Sequence, residues 1–194
     1  MADISRLRRF VADMTDHADQ YHGDEQAMVA GSKLLLADLV ENDDWLPDQY
    51  AIEGDTYRQY LLHCDPQQRF SVVSFVWGPG QTTPVHDHTV WGLIGMLRGA
   101  ETSQRFEIAA DGSLAPGETD RLEPGDIDVV SPEIGDIHKV SNVHNDKPSI
   151  SIHVYGANIG AVERHVYDPA SGAHKSFISG YSNTAVPNLW DFSG

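Results

Sequence analysis

Gly80-Gln-Thr-Thr-Pro-Val-His86-Asp-His88 is the stretch on which the reading of this chain turns. In an extended segment successive side chains alternate between faces, so His86 and His88, two apart, are expected on one side with their imidazole nitrogens directed at a shared point. A third histidine, His138, lies in a segment of similar texture, Pro132-Glu-Ile-Gly135-Asp-Ile-His138-Lys-Val-Ser-Asn142. Nitrogen donors of this kind suit iron, zinc, copper or nickel rather than magnesium or calcium. Three imidazoles on one side of an ion leave other positions open for chemistry. A closed structural zinc site needs a fourth protein ligand, and the single cysteine, Cys64, has no cysteine partner to complete one.

Outward from that stretch the pattern is mostly β. Residues 70–77, 90–97, 127–130 and 149–155 are short runs rich in β-branched and aromatic residues. Turn signals separate them at Gly78-Pro79-Gly80, Asp111-Gly112, Pro124-Gly125-Asp126 and Asp146-Lys-Pro148, at the spacing of an all-β barrel or sandwich. Ahead of these, Ile4, Leu7, Phe10, Val11 and Met14 recur at helical intervals, as do Leu35, Leu36, Leu39 and Val40. Two N-terminal helices are therefore expected, capping the barrel. The C-terminal stretch from Phe177 to Phe192 carries too many large apolar residues for a disordered tail and is expected to pack on the barrel. Residues 1–194 are read as one domain, a helical segment over 1–45 followed by the barrel and C-terminal segment over 46–194.

The frame around the histidines, Gly80 to His86-x-His88 to Gly99 and then Gly135-x-x-His138-x-x-x-Asn142, resembles the two motifs of the cupin superfamily. That resemblance implies a mainly β fold, the double-stranded β-helix or jelly-roll barrel. The chain departs from the pattern where cupins place a glutamate ligand, because the corresponding position is Gly92. The spacings from Gly125 to Pro132 and from Pro132 to Gly135 are each one residue longer than usual. The ligand set so implied is three neutral histidines.

Ser149-Ile-Ser151-Ile-His153-Val-Tyr155 alternates, placing Ser151, His153 and Tyr155 on one face and Ile150, Ile152 and Val154 on the other. Two readings fit: a barrel strand with a polar exposed face, or a hydrogen-bonded chain in which the imidazole accepts from one neighbour and donates to the other. Taken with the histidines, Ser151-x-His153-x-Tyr155 is similar to the thiol dioxygenases of the cysteine dioxygenase family, the similarity running from about Trp45 to Trp190. The resemblance implies Fe(II) held by His86, His88 and His138, an outer triad of Ser151, His153 and Tyr155, and addition of both atoms of O2 to a substrate thiol to give a sulfinic acid. The cysteine that cross-links to the tyrosine in animal members corresponds to Gly92, so no cross-link is expected. Tyr57-Arg58-Gln59-Tyr60 looks like the bacterial branch, most similar to 3-mercaptopropionate dioxygenase, with Gln59 at the glutamine position and Arg164 as the carboxylate anchor. An arginine fork grips a carboxylate in a bidentate way that lysine cannot. By their residues alone Arg58 and Arg164 are equally readable as surface charges. Cysteine and mercaptosuccinate remain alternative substrates, with Arg58 a candidate for a second carboxylate, and a non-catalytic or isomerase cupin remains the alternative from another class.

Composition narrows the partners. A net charge of −16 and a pI of about 4.7, with no compensating Lys/Arg cluster, argue against nucleic acid and anionic membrane surfaces. The partners expected are a small thiol carboxylate and O2, with the chain a monomer or small homo-oligomer. A lone cysteine gives no disulfide framework, and residues 1–10 show no apolar leader, so a cytoplasmic location is expected. Cys64 is read as a small buried residue without a chemical role.

Overall fold

In the computed structural model, residues 3–190 are described. Two helices come first, α1 (Ser5–Tyr21) and α2 (Glu25–Val40). The turn between them ends on Asp24, whose side chain accepts a hydrogen bond from the Ala27 amide at 3.0 Å and so caps α2. Eleven strands follow: β1 (Arg58–Cys64), β2 (Ser71–Trp77), β3 (Val85–His86), β4 (Gly92–Arg98), β5 (Glu101–Ile108), β6 (Leu114–Leu122), β7 (Ile127–Val130), β8 (His138–Asn142), β9 (Ser149–Tyr155), β10 (Arg164–Tyr167) and β11 (His174–Phe177). They form two antiparallel sheets, β1-β2-β9-β4-β7 and β11-β10-β3-β8-β5-β6. This is the expected double-stranded β-helix, or jelly-roll, barrel.

The central strands β2, β9 and β4 of the five-stranded sheet are buried on both faces, which their apolar sequences require. Its outer face, through Val72, Val76, Leu93, Leu97, Ile150, Ile152 and Val154, packs against Leu7, Phe10, Met14, Leu36, Leu39 and Val40 of the helices. Its inner face contributes Val73, Phe75, Trp77, Ile94, Met96 and Tyr155 to a second cluster inside the barrel. Each such aliphatic side chain contributes about 1.5–3 kcal/mol on burial. The helices thus cover a face of the barrel rather than an end. Gly95 permits this: a Cβ there would meet Cγ of Leu36 at 2.9 Å.

Several elements differ from the expectation. The hairpin β5–β6 and the strands β10 and β11 carry polar sequences, such as the exposed stretch within Leu114–Leu122, and give no apolar alternation to read. β8 runs from His138 to Asn142, and Arg58–Cys64 forms the edge strand β1. The C-terminal segment docks on β1 mainly through polar groups. Asn183 spans Leu61 by accepting from its amide at 2.8 Å and donating to its carbonyl at 2.9 Å, and the Ser182 amide donates to the Gln59 carbonyl at 2.8 Å. Leu189 is buried, Ile178 and Trp190 are exposed, and the part of that expectation resting on Asp191 and Phe192 lies outside the described residues. Cys64 is half-buried rather than buried. No helix among the described residues is long and apolar enough to cross a membrane.

Candidate metal centre

His86, His88 and His138 come together, each offering a ring nitrogen within 4.8 Å of the others, and all three are buried. Their ring centroids form a triangle with sides of 4.9 Å. Strand alternation accounts for only part of this. β3 is two residues long, and His86 pairs directly with His138 across the β3–β8 ladder, so register places those two. His88 lies beyond the strand, where the backbone turns through Thr89 at a φ of 60°.

Each imidazole is held from behind. Nδ1 of His86 donates to the Pro84 carbonyl at 3.1 Å, and Nδ1 of His88 donates to the Asp136 carboxylate at 2.8 Å. Both acceptors lack a proton to give, so those rings keep a free lone pair on Nε2. Nδ1 of His138 lies 3.1 Å from the Ser103 hydroxyl. Asp136 also takes the backbone amides of His88 and Thr89 at 2.9 and 2.8 Å, pinning the turn that aims the ligand. Burial pushes the Asp136 carboxyl up, but the hydrogen bonds from His88 and Thr89 outweigh it and hold it below the usual carboxylate range. Asp87, between the two histidines, faces away and accepts from the His165 ring at 2.8 Å and the Tyr167 hydroxyl at 2.7 Å.

Burial, with the neighbouring histidines adding to it, lowers the His86 pKa to about 3 and the His138 pKa well below its ordinary value. The His86 and His138 rings are therefore neutral, as metal ligation requires. Among the described residues no carboxylate or cysteine joins the group, so a bound ion would keep open positions.

Ser151, His153 and Tyr155 sit on β9 between β2 and β4, on the interior face. The reading of an exposed polar face is wrong, because the whole strand is buried. The three make a continuous chain: Ser151 Oγ to His153 Nε2 at 2.9 Å and His153 Nδ1 to Tyr155 Oη at 2.8 Å. The Trp77 indole donates to Ser151 at 3.3 Å, and the Phe75 ring lies 4.2 Å from that of His153. At the other end, the Tyr155 ring stacks on His88 with centroids 5.4 Å apart, joining triad to triangle. Burial raises the Tyr155 pKa, and the Arg164 charge opposes that rise.

Arg164 is buried, being only 3 % exposed. Its Nη2 donates to the Ser179 hydroxyl at 2.6 Å and its guanidinium lies 4.8 Å from the centroid of the Phe177 ring. Nε has no hydrogen-bond partner, and no described carboxylate pairs with this cation. Gln59 is buried but spent: its side-chain amide donates to the Gly180 carbonyl. Arg58, the suggested holder of a second carboxylate, is exposed, and its side chain crowds Gly54 outside the barrel. Sequence reasoning passed over Asp136, Ser103 and Glu101. Asp136 sat two residues from His138 and was findable as a possible histidine partner, whereas Ser103 and Glu101 carry no local signal.

The cysteine dioxygenase type I family model matches residues 33–169, starting within α2 and stopping well short of Trp190, unlike the span from Trp45 read in the sequence. Cysteine dioxygenase type 1 from Homo sapiens and from Pongo abelii are each 25 % identical over 114 residues, 57 % of this chain and 55 % of theirs. The chain therefore matches about half the length of these curated relatives. Among solved structures, an uncharacterized conserved protein with a double-stranded β-helix domain from Klebsiella pneumoniae aligns over 70 % of this chain and 97 % of its own, with 17 % identity and a TM-score of 0.47. A cupin superfamily protein from Desulfitobacterium hafniense aligns over 60 % and 94 %, with 15 % identity and a TM-score of 0.44.

Proposed function

The chain belongs to the cysteine dioxygenase type I family, and from that premise we propose that it is a thiol dioxygenase that adds O2 to a small mercapto-carboxylate, preferentially 3-mercaptopropionate, to form the sulfinic acid. His86, His88 and His138 hold Fe(II), a fit supported by the rear hydrogen bonds that turn the His86 and His88 Nε2 lone pairs loose. When bound, the iron supplies the acidity that makes the thiol a thiolate and a centre where sulfur and O2 meet.

The rest is the work of side chains. The observation that carries the substrate class is Arg164, a buried guanidinium with an unpaired Nε and no carboxylate partner among the described residues. A cation left in that state is costly, and a substrate carboxylate relieves it with two charge-assisted hydrogen bonds. Tyr155, fixed by His153 and stacked on His88, presents its hydroxyl beside the same space and orients the substrate so that its sulfur reaches the centre. Phe75, Trp77 and Met96 line the interior and keep water from it. Gln59 acts through the Gly180 carbonyl, tying β1 to the C-terminal segment that carries Ser179.

The preference for 3-mercaptopropionate over cysteine rests on the substrate ammonium. Arg164 is met by the Ser179 hydroxyl and the Phe177 ring, and the carboxylate that acts on the site, Asp136, is already committed to His88 and Thr89, which leaves it unavailable to a second cation. A buried charged group lacking one hydrogen bond loses roughly 1.5–3 kcal/mol, about one to two powers of ten in specificity. The test is O2 uptake by anaerobically iron-loaded protein with 3-mercaptopropionate, cysteine and mercaptosuccinate, scored by sulfinate formation. A higher kcat/KM for 3-mercaptopropionate supports the proposal; preference for cysteine overturns the substrate, and no sulfinate from any thiol overturns the reaction.

A further inference from the structure

Glu101, the first residue of β5, has no role in the reaction as described above, yet it is wholly buried. Its Oε1 accepts from the Ser149 hydroxyl at 2.9 Å, while Oε2 has no hydrogen-bond partner. The Ser151 hydroxyl is close enough to the same carboxyl to favour its charged form, although burial dominates and pushes the pKa up to about 8. The side chain thus sits at the blind end of the row that runs from Ser151 through His153 to Tyr155.

We propose that Glu101 is a positioning residue: it terminates that row and sets which way the Tyr155 hydroxyl directs its proton. The argument is one of donors and acceptors. Burial keeps His153 neutral, so it carries one proton and one lone pair. With the proton on Nδ1, His153 donates to Tyr155, accepts from Ser151, and leaves the Tyr155 O–H free to donate to a substrate anion. A protonated Glu101 supports this order, because the Ser151 oxygen, already receiving the Trp77 indole, can also receive the carboxylic proton. With Glu101 ionised, the order reverses. Ser151 turns its proton to the carboxylate, His153 donates from Nε2 to Ser151, and Tyr155 must donate to Nδ1, presenting only lone pairs to the site.

The ionisable groups that face the row act on its far end, His86, His88, His138 and Arg164 on His153 and Arg164, Asp136, Tyr57 and Tyr181 on Tyr155, while none of them acts on Glu101. The residues paired with Glu101 are Leu122 of β6 and Asn142 of β8, and those paired with Ser151 are Phe75 of β2 and Met96 of β4. No charged side chain shifts the Glu101 carboxyl, and the titratable neighbour on β9 is His153 itself.

The inference deepens the proposed reaction and leans on it only for its kinetic arm. The structural arm uses chelator-treated, 15N-histidine-labelled protein, in which long-range 1H–15N correlation spectra report the ring nitrogen that carries the His153 proton, assigned with His153→Gln. The wild type should hold the proton on Nδ1 at pH 6.5 and on Nε2 at pH 9.5, and Glu101→Gln, whose amide cannot ionise, should hold it on Nδ1 at both. A wild-type tautomer that does not change, or the same change in Glu101→Gln, overturns the proposal; if that variant fails to fold, the wild-type titration decides alone. In the kinetic arm, Glu101→Gln should move the alkaline limb of kcat/KM for 3-mercaptopropionate, near pH 8 in the wild type, up by at least about one unit. An unmoved limb overturns the proposal. If the wild type oxidises no thiol, the reaction fails while the tautomer result still stands.

Discussion

The two walls of the barrel interior are built on different principles. On the six-stranded side, three histidines come from a two-residue strand, a turn and the start of β8, and their aim depends on Pro84, Asp136 and Ser103. On the five-stranded side, Ser151, His153 and Tyr155 come from one strand held between two long neighbours, and their alignment follows from alternation alone. The first wall is specified by contacts and the second by register. A contact-specified site loses its aim one hydrogen bond at a time, whereas a register-specified row keeps its alignment for as long as its strand stays paired.

The sharpest way to break this comparison is His138→Ala, which removes a ligand outright. Iron stoichiometry by elemental analysis should collapse and sulfinate formation should fall at least about a thousandfold, because the open site supplies the chemistry. Wild-type iron content in that variant would dismiss the assignment. Next in size, Arg164→Ala should lower kcat/KM for 3-mercaptopropionate by about 10- to 100-fold with iron still bound, the worth of charge-assisted hydrogen bonds, and Arg164→Lys should restore little of it. Steady-state kinetics across substrate concentration decides, an unchanged KM being the adverse result.

Asp136→Asn tests the contact wall directly. Loss of the carboxylate behind His88 should weaken metal affinity about 10- to 100-fold, measured by competition with a chelator. His153→Ala should leave that affinity unchanged and lower turnover instead; equal metal loss in both variants would erase the distinction between the walls.

The smallest effects at neutral pH have opposite signs on the two sides. In chelator-treated protein, the His86 pKa is lowered from 6.5 to about 3, so the stability it contributes is complete above about pH 6.5 and is lost as pH falls through about 3. Glu101 is raised from 4.5 to about 8, so its contribution is complete below about pH 4.5 and is lost as pH rises through about 8. Urea midpoints should therefore decline at both extremes, with His86→Asn flattening the acid limb and Glu101→Gln the alkaline one. Each variant acting on the other limb would contradict the pairing.

The same contrast explains what could be read before any coordinates. β9 was legible because period-two alternation is local, and α1 and α2 because their apolar positions recur on one face. The histidines were legible through spacing, although His88 reaches the cluster by a turn rather than along a strand. The burial of the polar face of β9 was illegible, since polar side chains toward water and toward a barrel interior look identical in sequence. Asp136 and Ser103 find their histidines across 48 and 35 residues, and no local pattern carries such a pairing. The polar strands β6, β10 and β11 are recruited by ladder hydrogen bonds to neighbours, a signal stored in the partner and not in themselves.

Gly92 lies directly opposite Tyr155 in the β4–β9 ladder. A Cβ at that position would stand 2.9 Å from Cδ1 and Cε1 of the tyrosine ring and 3.1 Å from Cγ2 of Val130. The absence of a sulfur here is thus also an absence of room. A single change to cysteine would displace the ring that stacks on His88. Any side chain at position 92 therefore needs the Tyr155 ring and Val130 to give way first, so the glycine is a condition for the ring's present position.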